Sequence, residues 1–307
     1  MSPRLDVHHH LIPPAFEPFA ATPRPAWSAA GALSWMDDHQ VAGAVLSVSA
    51  PGIPAAADGG GPRLARELNE FTAELVKDHP GRFGQFASLP MGDHDAAEVL
   101  DEIQHAFDIL GADGVVMMSN SGGVYLGDRR WEPVWAELDR RRAVVFIHPT
   151  ITALSPLDGI NVAVVDFPSD TTRTAVDLAV SGVLGRHRQV RIILSHAGGF
   201  LPYAAQRFAT AIPMLGSPLS AEAIMADLKR FYFDTALSTG NDTLKLLTGF
   251  AEPGHVLYGS DWPYSAGVGV EHFNRLLDTA DLTPSDRDAI DHRNAEALFP
   301  RFATVGA

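Results

Sequence analysis

The feature that most restricts the fold of this chain is an alternation repeated about eight times, in which a short run rich in Val, Ile, Leu and Phe gives way to a longer stretch of helical period. The strand-like runs are Arg4–His8, Ala42–Val48, Gly84–Leu89, Gly114–Met118, Ala143–His148, Val190–His196, Arg230–Ala236 and His255–Ser260. Between them lie helical stretches such as Arg63–Lys77, Ala96–Leu110, Trp131–Arg141, Thr171–Leu184, Leu201–Ala211 and Thr243–Phe250. Parallel strands need a long crossover, usually a helix, so this alternation predicts an α/β chain built of βα units. No linker-like or low-complexity break divides the 307 residues. A single closed (β/α)8 TIM barrel over residues 1–307 is therefore expected in preference to two half-size sheets. Two longer irregular stretches, Ile12–Ala32 and Thr150–Pro168, follow the first and fifth strands and would emerge on the C-terminal face, where a barrel builds its active site.

Composition narrows the function. With 23 Lys+Arg against 37 Asp+Glu the net charge is −14, which argues against a nucleic-acid or anionic-membrane partner. There is no cysteine, so a metal here must be held by His, Asp or Glu. The N-terminus, MSPRLDVHHHLIPP, has no apolar stretch of signal-peptide length, and a cytoplasmic protein acting on a small molecule is expected.

Side chains of a strand alternate between faces, so Asp6, His8 and His10 should project one way and His9 the other. Two imidazoles about 7 Å apart along one face can converge on an ion once the chain curls. Elsewhere His148 ends the run AVVFIH, His196 ends VRIILSH and Asp261 follows HVLYGS. Each is a titratable residue placed where a buried strand finishes, which in a barrel is the rim that binds substrate. His8, His10, His148 and Asp261 suffice for one divalent ion, with zinc expected first and manganese acceptable to the same donors. His196 is then free to move protons, with Asp261 as both ligand and proton acceptor, although His148 and His196 are interchangeable on this reading. Asp6 either orients a ligand imidazole or solvates a strand end. His39, His79, His94, His105, His187, His272 and His292 read as surface residues, and His255, at the opposite end of its strand from the rim, as structural.

DVHHH, VVFIHPT, IILSHAGG and YGSDWPY, in that order, together with GRFGQFASLP, LGADGV and RRWEPVWAELDRRRAVVFIHP, resemble the amidohydrolase-related metal-dependent decarboxylases. The likeness is greatest to the 6-methylsalicylate and aminocarboxymuconate-semialdehyde decarboxylase branch. The resemblance implies a distorted amidohydrolase-superfamily barrel, a divalent ion on His8, His10, His148 and Asp261, an acid/base His196, no organic cofactor and a homodimer. Binuclear amidohydrolases carry a carbamylated Lys at the end of strand four. Lys77, Lys229 and Lys245 all lie elsewhere, so a mononuclear site is implied. Arg207, eleven residues after His196, matches an Arg that those semialdehyde decarboxylases use on a substrate carboxylate across the dimer interface, and its fork suits that group; otherwise it is an exposed helix Arg. No counterpart of a second substrate-binding Arg appears in GALSWMDD, before strand two, which favours an aromatic acid.

Trp262, Phe167 and Phe200 either wall a flat apolar pocket or pack internally. Gly198 and Gly199 either offer backbone N–H groups to an anionic oxygen or permit close packing. The expected activity is non-oxidative decarboxylation of a salicylate-type or related unsaturated acid. The alternatives are metal-assisted hydrolysis of a lactone or amide, which needs the same Lewis acid and proton carriers, and a barrel that only binds. Keeping all five polar rim residues argues against the last.

Overall fold

A computed structural model of the chain describes residues 3–20, 24–54, 60–92, 95–152, 156–265 and 268–303. Eight parallel strands form one sheet in chain order: β1 (Arg4–His10), β2 (Val41–Ser47), β3 (Phe83–Ser88), β4 (Gly114–Met118), β5 (Val144–His148), β6 (Arg191–Leu194), β7 (Tyr232–Asp234) and β8 (Val256–Leu257). The sheet closes on itself where Val7 N–H donates to Tyr258 O (3.0 Å), Asp261 N–H to His8 O (2.8 Å) and His10 N–H to Trp262 O (2.7 Å). A two-residue-stranded hairpin, Asn120–Ser121 with Val124–Tyr125, follows β4 at the rim.

Helices cover the outside: α1 (Ala29–Asp38), α2 (Gly61–Asp78), α3 (Ala96–Asp108), α4 (Glu132–Arg140), α5 (Val162–Val180), α6 (Val183–Arg186), α7 (Leu201–Met214), α8 (Ala221–Lys229), α9 (Asn241–Phe250) and α10 (Val268–Asp278). Because both faces of each strand are covered, β4 and β5 are apolar almost throughout and wholly buried. Phe299 packs on Phe86 (5.6 Å between ring centroids) and Phe302 sits against Gly43 and Gly84.

Three sequence expectations are corrected. The stretch from 12 to 32 is not irregular to its end: Ser28 caps α1, accepting from Gly31 N–H (3.0 Å), and the helix begins at Ala29. Likewise α5 starts at Val162 under the cap of Asn161 and runs through Pro168, which leaves a gap in its hydrogen-bond ladder. The histidines read as surface are mostly half-buried: His39 stacks on Trp35 (4.4 Å), His187 reaches Glu132 (2.9 Å), and only His272 is exposed among the described ones. His94 lies outside the described residues. His255 is structural, stacked on Tyr232 (3.8 Å).

The tightness of the barrel wall can be tested at Gly114, where an added Cβ would collide with the Val144 carbonyl and stand 3.0 Å from the Phe86 ring. Gly114→Ala is expected to destabilise the fold by about 1–3 kcal/mol, read from the denaturant midpoint.

Candidate metal centre

His8 and His10 project from β1 into the barrel mouth, and His148 stands at the end of β5. Each is buried, and each commits its Nδ1–H to an acceptor. His8 donates to Asp234 Oδ2 (2.7 Å), His10 to Ser47 O (3.1 Å) and His148 to Pro149 O (2.7 Å). These bonds fix the tautomer and leave every Nε2 as a lone-pair donor aimed at one centre. The Nε2 atoms of His8 and His10 lie 3.0 Å apart, and Asp261 Oδ1 lies 3.3 and 3.2 Å from them. Ligand atoms of His8, His10, His148 and Asp261 all fall within 4.8 Å of one another.

Lone pairs so close in a buried place repel unless a positive charge stands between them. The electrostatics state the same demand. Burial opposes a charged His8, yet Asp234 and then Asp261 outweigh it and push its pKa up to about 10. His10 and His148 are held below their ordinary value, first by burial and then by neighbouring imidazoles. Burial would raise Asp261, but the facing imidazoles of His10, His196 and His8 keep it far below the usual carboxylate range and therefore ionised. Three imidazoles around one carboxylate, with the proton on His8 given up on binding, fit a divalent ion.

His196 is not one of the four. Its Nε2 lies 3.7 Å from Asp261 Oδ2 and its Nδ1 is buried with no partner. Both residues sit on turns rather than strand ends, in the left-handed region (φ 53° for His196 and 60° for Asp261), which costs about 1–3 kcal/mol each. Asp234 and Asp6 hold them there. Asp234 Oδ1 accepts from His196 N–H (2.8 Å) while its other oxygen holds His8, so one carboxylate sets both a ligand and the neighbouring imidazole. Sequence reading missed Asp234, whose only signal was an acid closing the apolar run RFYFD. Asp234→Asn is expected to weaken metal binding about 10- to 100-fold, measured by competition with a chromogenic chelator.

Asp6 departs from both readings offered for it. It is wholly buried and touches no ligand imidazole; it accepts from Ser260 N–H (3.0 Å), Ser260 Oγ (2.6 Å), His8 N–H (3.0 Å) and His9 Nδ1 (2.9 Å). The pairing of β1 with β2 shifts register between Asp6 and His9, which breaks strict alternation and lets these two side chains meet. Asp6 thus shapes the turn that presents Asp261.

Trp262 packs away from the centre, stacked on His9 (4.8 Å) and Trp35 (5.8 Å). Phe167 does stand against His148 (6.0 Å), whereas Phe200 is 44% exposed beside α5. Gly198 and Gly199 serve close packing. Their N–H groups are taken by Ser195 O and His196 O (3.0 Å each), and a Cβ on Gly199 would strike the Pro168 carbonyl. Arg207 lies exposed on α7, outside the cluster of its own chain. Sequence reading also missed Tyr264, the last residue of YGSDWPY. Its ring packs on His10 (5.4 Å), its hydroxyl is buried without a partner, and burial followed by the Asp261 charge pushes its pKa up to about 12. It therefore remains a proton-bearing donor beside the centre.

A sequence profile described as amidohydrolase matches residues 5–301. The chain belongs to the amidohydrolase family. Among amidohydrolase relatives, decarboxylase yanB of Aspergillus niger is 41% identical over 97% of this chain and 88% of its own length. The 6-methylsalicylic acid decarboxylase acuB of Aspergillus aculeatus is 40% identical, covering 99% of this chain and 98% of its own. A crystal structure of amidohydrolase II superposes with a TM-score of 0.88 at 29% identity, over 96% of this chain and 99% of that one. No described helix of this amidohydrolase is long and apolar enough to cross a membrane.

Proposed function

We propose that this amidohydrolase decarboxylates an aromatic, salicylate-type acid without oxidation, using one divalent ion, zinc first and manganese second. The observation that carries the reading is the pairing of a four-ligand centre with an unligated His196 at 3.7 Å from Asp261, in a chain about 40% identical from end to end to a 6-methylsalicylic acid decarboxylase.

A divalent ion held by His8, His10, His148 and Asp261 would supply Lewis acidity toward the substrate. His196, facing the ionised Asp261, supplies the proton. Delivered to the ring carbon that bears the carboxylate, it breaks aromaticity; the bond to the carboxyl carbon then cleaves, carbon dioxide leaves, and the electron pair restores the ring. Tyr264 offers its hydroxyl to a substrate oxygen, and Phe167 flanks the ring. Charge develops in a buried place whose dipoles are already set, so little reorganisation is required.

The test is carbon dioxide release by metal-replete protein from a panel of salicylates in heavy water. One deuterium at the former carboxyl carbon supports the reading. No release from any acid at full metal occupancy overturns it in favour of lactone or amide hydrolysis.

We further propose that two copies pair through α5 and α7. Val164, Val180, Tyr203 and Met214 are exposed there, and Arg207 shares the Tyr203–Met214 side of α7 by helical spacing. Light scattering should give twice the 32.9 kDa chain mass; a monomer at micromolar concentration would exclude this.

A further inference from the structure

His8 leans directly on a carboxylate, Asp234 Oδ2, whereas His148 leans on a main-chain carbonyl, Pro149 O, at 2.7 Å. That carbonyl belongs to the planar peptide unit joining Pro149 to Thr150. The N–H at the other edge of the same unit, that of Thr150, donates to Ser119 Oγ (3.2 Å). The Ser119 hydroxyl donates in turn to Asp170 Oδ2. A carboxylate on α5 is thus joined in series to a ligand at the end of β5. Asp170 and Ser119 are wholly buried, and Thr150 and His148 nearly so.

Every donor in the series points toward Asp170: the imidazole N–H to the carbonyl, the peptide N–H to the hydroxyl, the hydroxyl to the carboxylate. Hydrogen bonds aligned head to tail polarise one another, and a carboxylate at the end strengthens them further. The last effect falls on His148, whose Nδ1–H is held harder and whose Nε2 lone pair becomes a better donor to a cation. Ser119 also fixes the ligand from its other side, since its N–H donates to His148 O (2.8 Å).

Asp170 itself is anchored by neutral donors from the rim hairpin, Asn120 Nδ2 (2.9 Å) and the Tyr125 hydroxyl (2.6 Å). Burying a carboxylate among neutral donors is costly, and the series gives that placement a use.

We propose that Asp170 is a positioning residue for the metal centre, acting through Ser119 and the Pro149–Thr150 peptide to orient His148 and strengthen it as a ligand. This rests on the reading of His148 as one of four ligands and adds what controls it.

The experiment measures zinc affinity of the stripped full-length protein by competition with a chromogenic chelator. It compares the wild type with Ser119→Ala, Asp170→Asn, the double variant, Tyr125→Phe and His148→Ala, each with the melting temperature of its metal-free form. Ser119→Ala and Asp170→Asn should each bind zinc about tenfold more weakly. The double variant should match the weaker single one within about twofold, because both changes break the same series. Tyr125→Phe takes from Asp170 a bond that leads only to the hairpin and Arg173, so affinity should stay within about twofold of wild type. Cobalt(II) bound to Ser119→Ala should show visible bands displaced from those of the wild type, which a mere loss of stability does not produce. Single variants that bind zinc as the wild type does within about twofold, or a double variant that loses the product of both effects, overturn the proposal. If Asp170→Asn fails to fold, the affinity and cobalt spectrum of Ser119→Ala decide alone. A wild type that binds zinc no better than His148→Ala overturns both this and the four-ligand reading beneath it.

Discussion

Replacing His196 by Ala lowers turnover by about 10²–10⁴-fold while the purified protein keeps its divalent ion, the expected result if this imidazole carries a proton and does not bind metal. The four ligands converge without it, and its Nε2 stands 3.7 Å from Asp261 Oδ2. The variant also preserves what the backbone contributes, since Asp234 grips residue 196 through its N–H group and not through the ring. Kinetics and metal content on the same preparation check it. Loss of the ion along with activity would make His196 a fifth ligand, and unchanged activity would remove it from the chemistry.

Asp261→Asn is expected to lose both. The substitution keeps the shape of the side chain, and Asn tolerates the left-handed backbone found there, so the melting temperature of the metal-free protein should change little. What disappears is the one carboxylate among the four ligands. The centre then offers no carboxylate to a divalent ion, and affinity should fall by at least about 100-fold, with turnover lost even at saturating metal because the charge that faces His196 is gone too. Calorimetric titration of metal into the stripped variant reads the first effect, and product formation in excess metal the second. A variant that bound metal as the wild type does would show that the carboxylate is not a ligand.

Much of this site was legible because its ligands obey simple rules. His8 and His10 are two apart on a strand, and His148 and Asp261 each end a buried apolar run, so periodicity and position on the rim were enough to gather them. What escaped depends on departures from those rules. The register shift after Asp6 is invisible to a pattern of alternation, and it sends Asp6 to the Ser260 turn instead of to a ligand. Asp234 was passed over because a buried acid that only receives hydrogen bonds looks, in sequence, like any acid ending a strand. Adjacency to Asp261 leaves Trp262 open to walling a pocket or packing internally, and only the structure shows that it packs against His9 and Trp35. The stretch Thr150–Pro168 reads as irregular and the helix as starting at Thr171, although the Asn161 cap starts α5 at Val162.

The barrel closes through the same residues that build the centre: His8 O takes Asp261 N–H, and His10 N–H reaches Trp262 O. First and last strands are thus fastened to each other by groups that lie almost the whole chain apart in sequence. Contacts of such long range form late and slowly. During synthesis, β1 must therefore wait, its imidazoles unassembled, until the segment after β8 has left the ribosome. A truncated product ending before Asp261 would have no centre at all, so the act of completing the fold and the act of creating the ion site are one event.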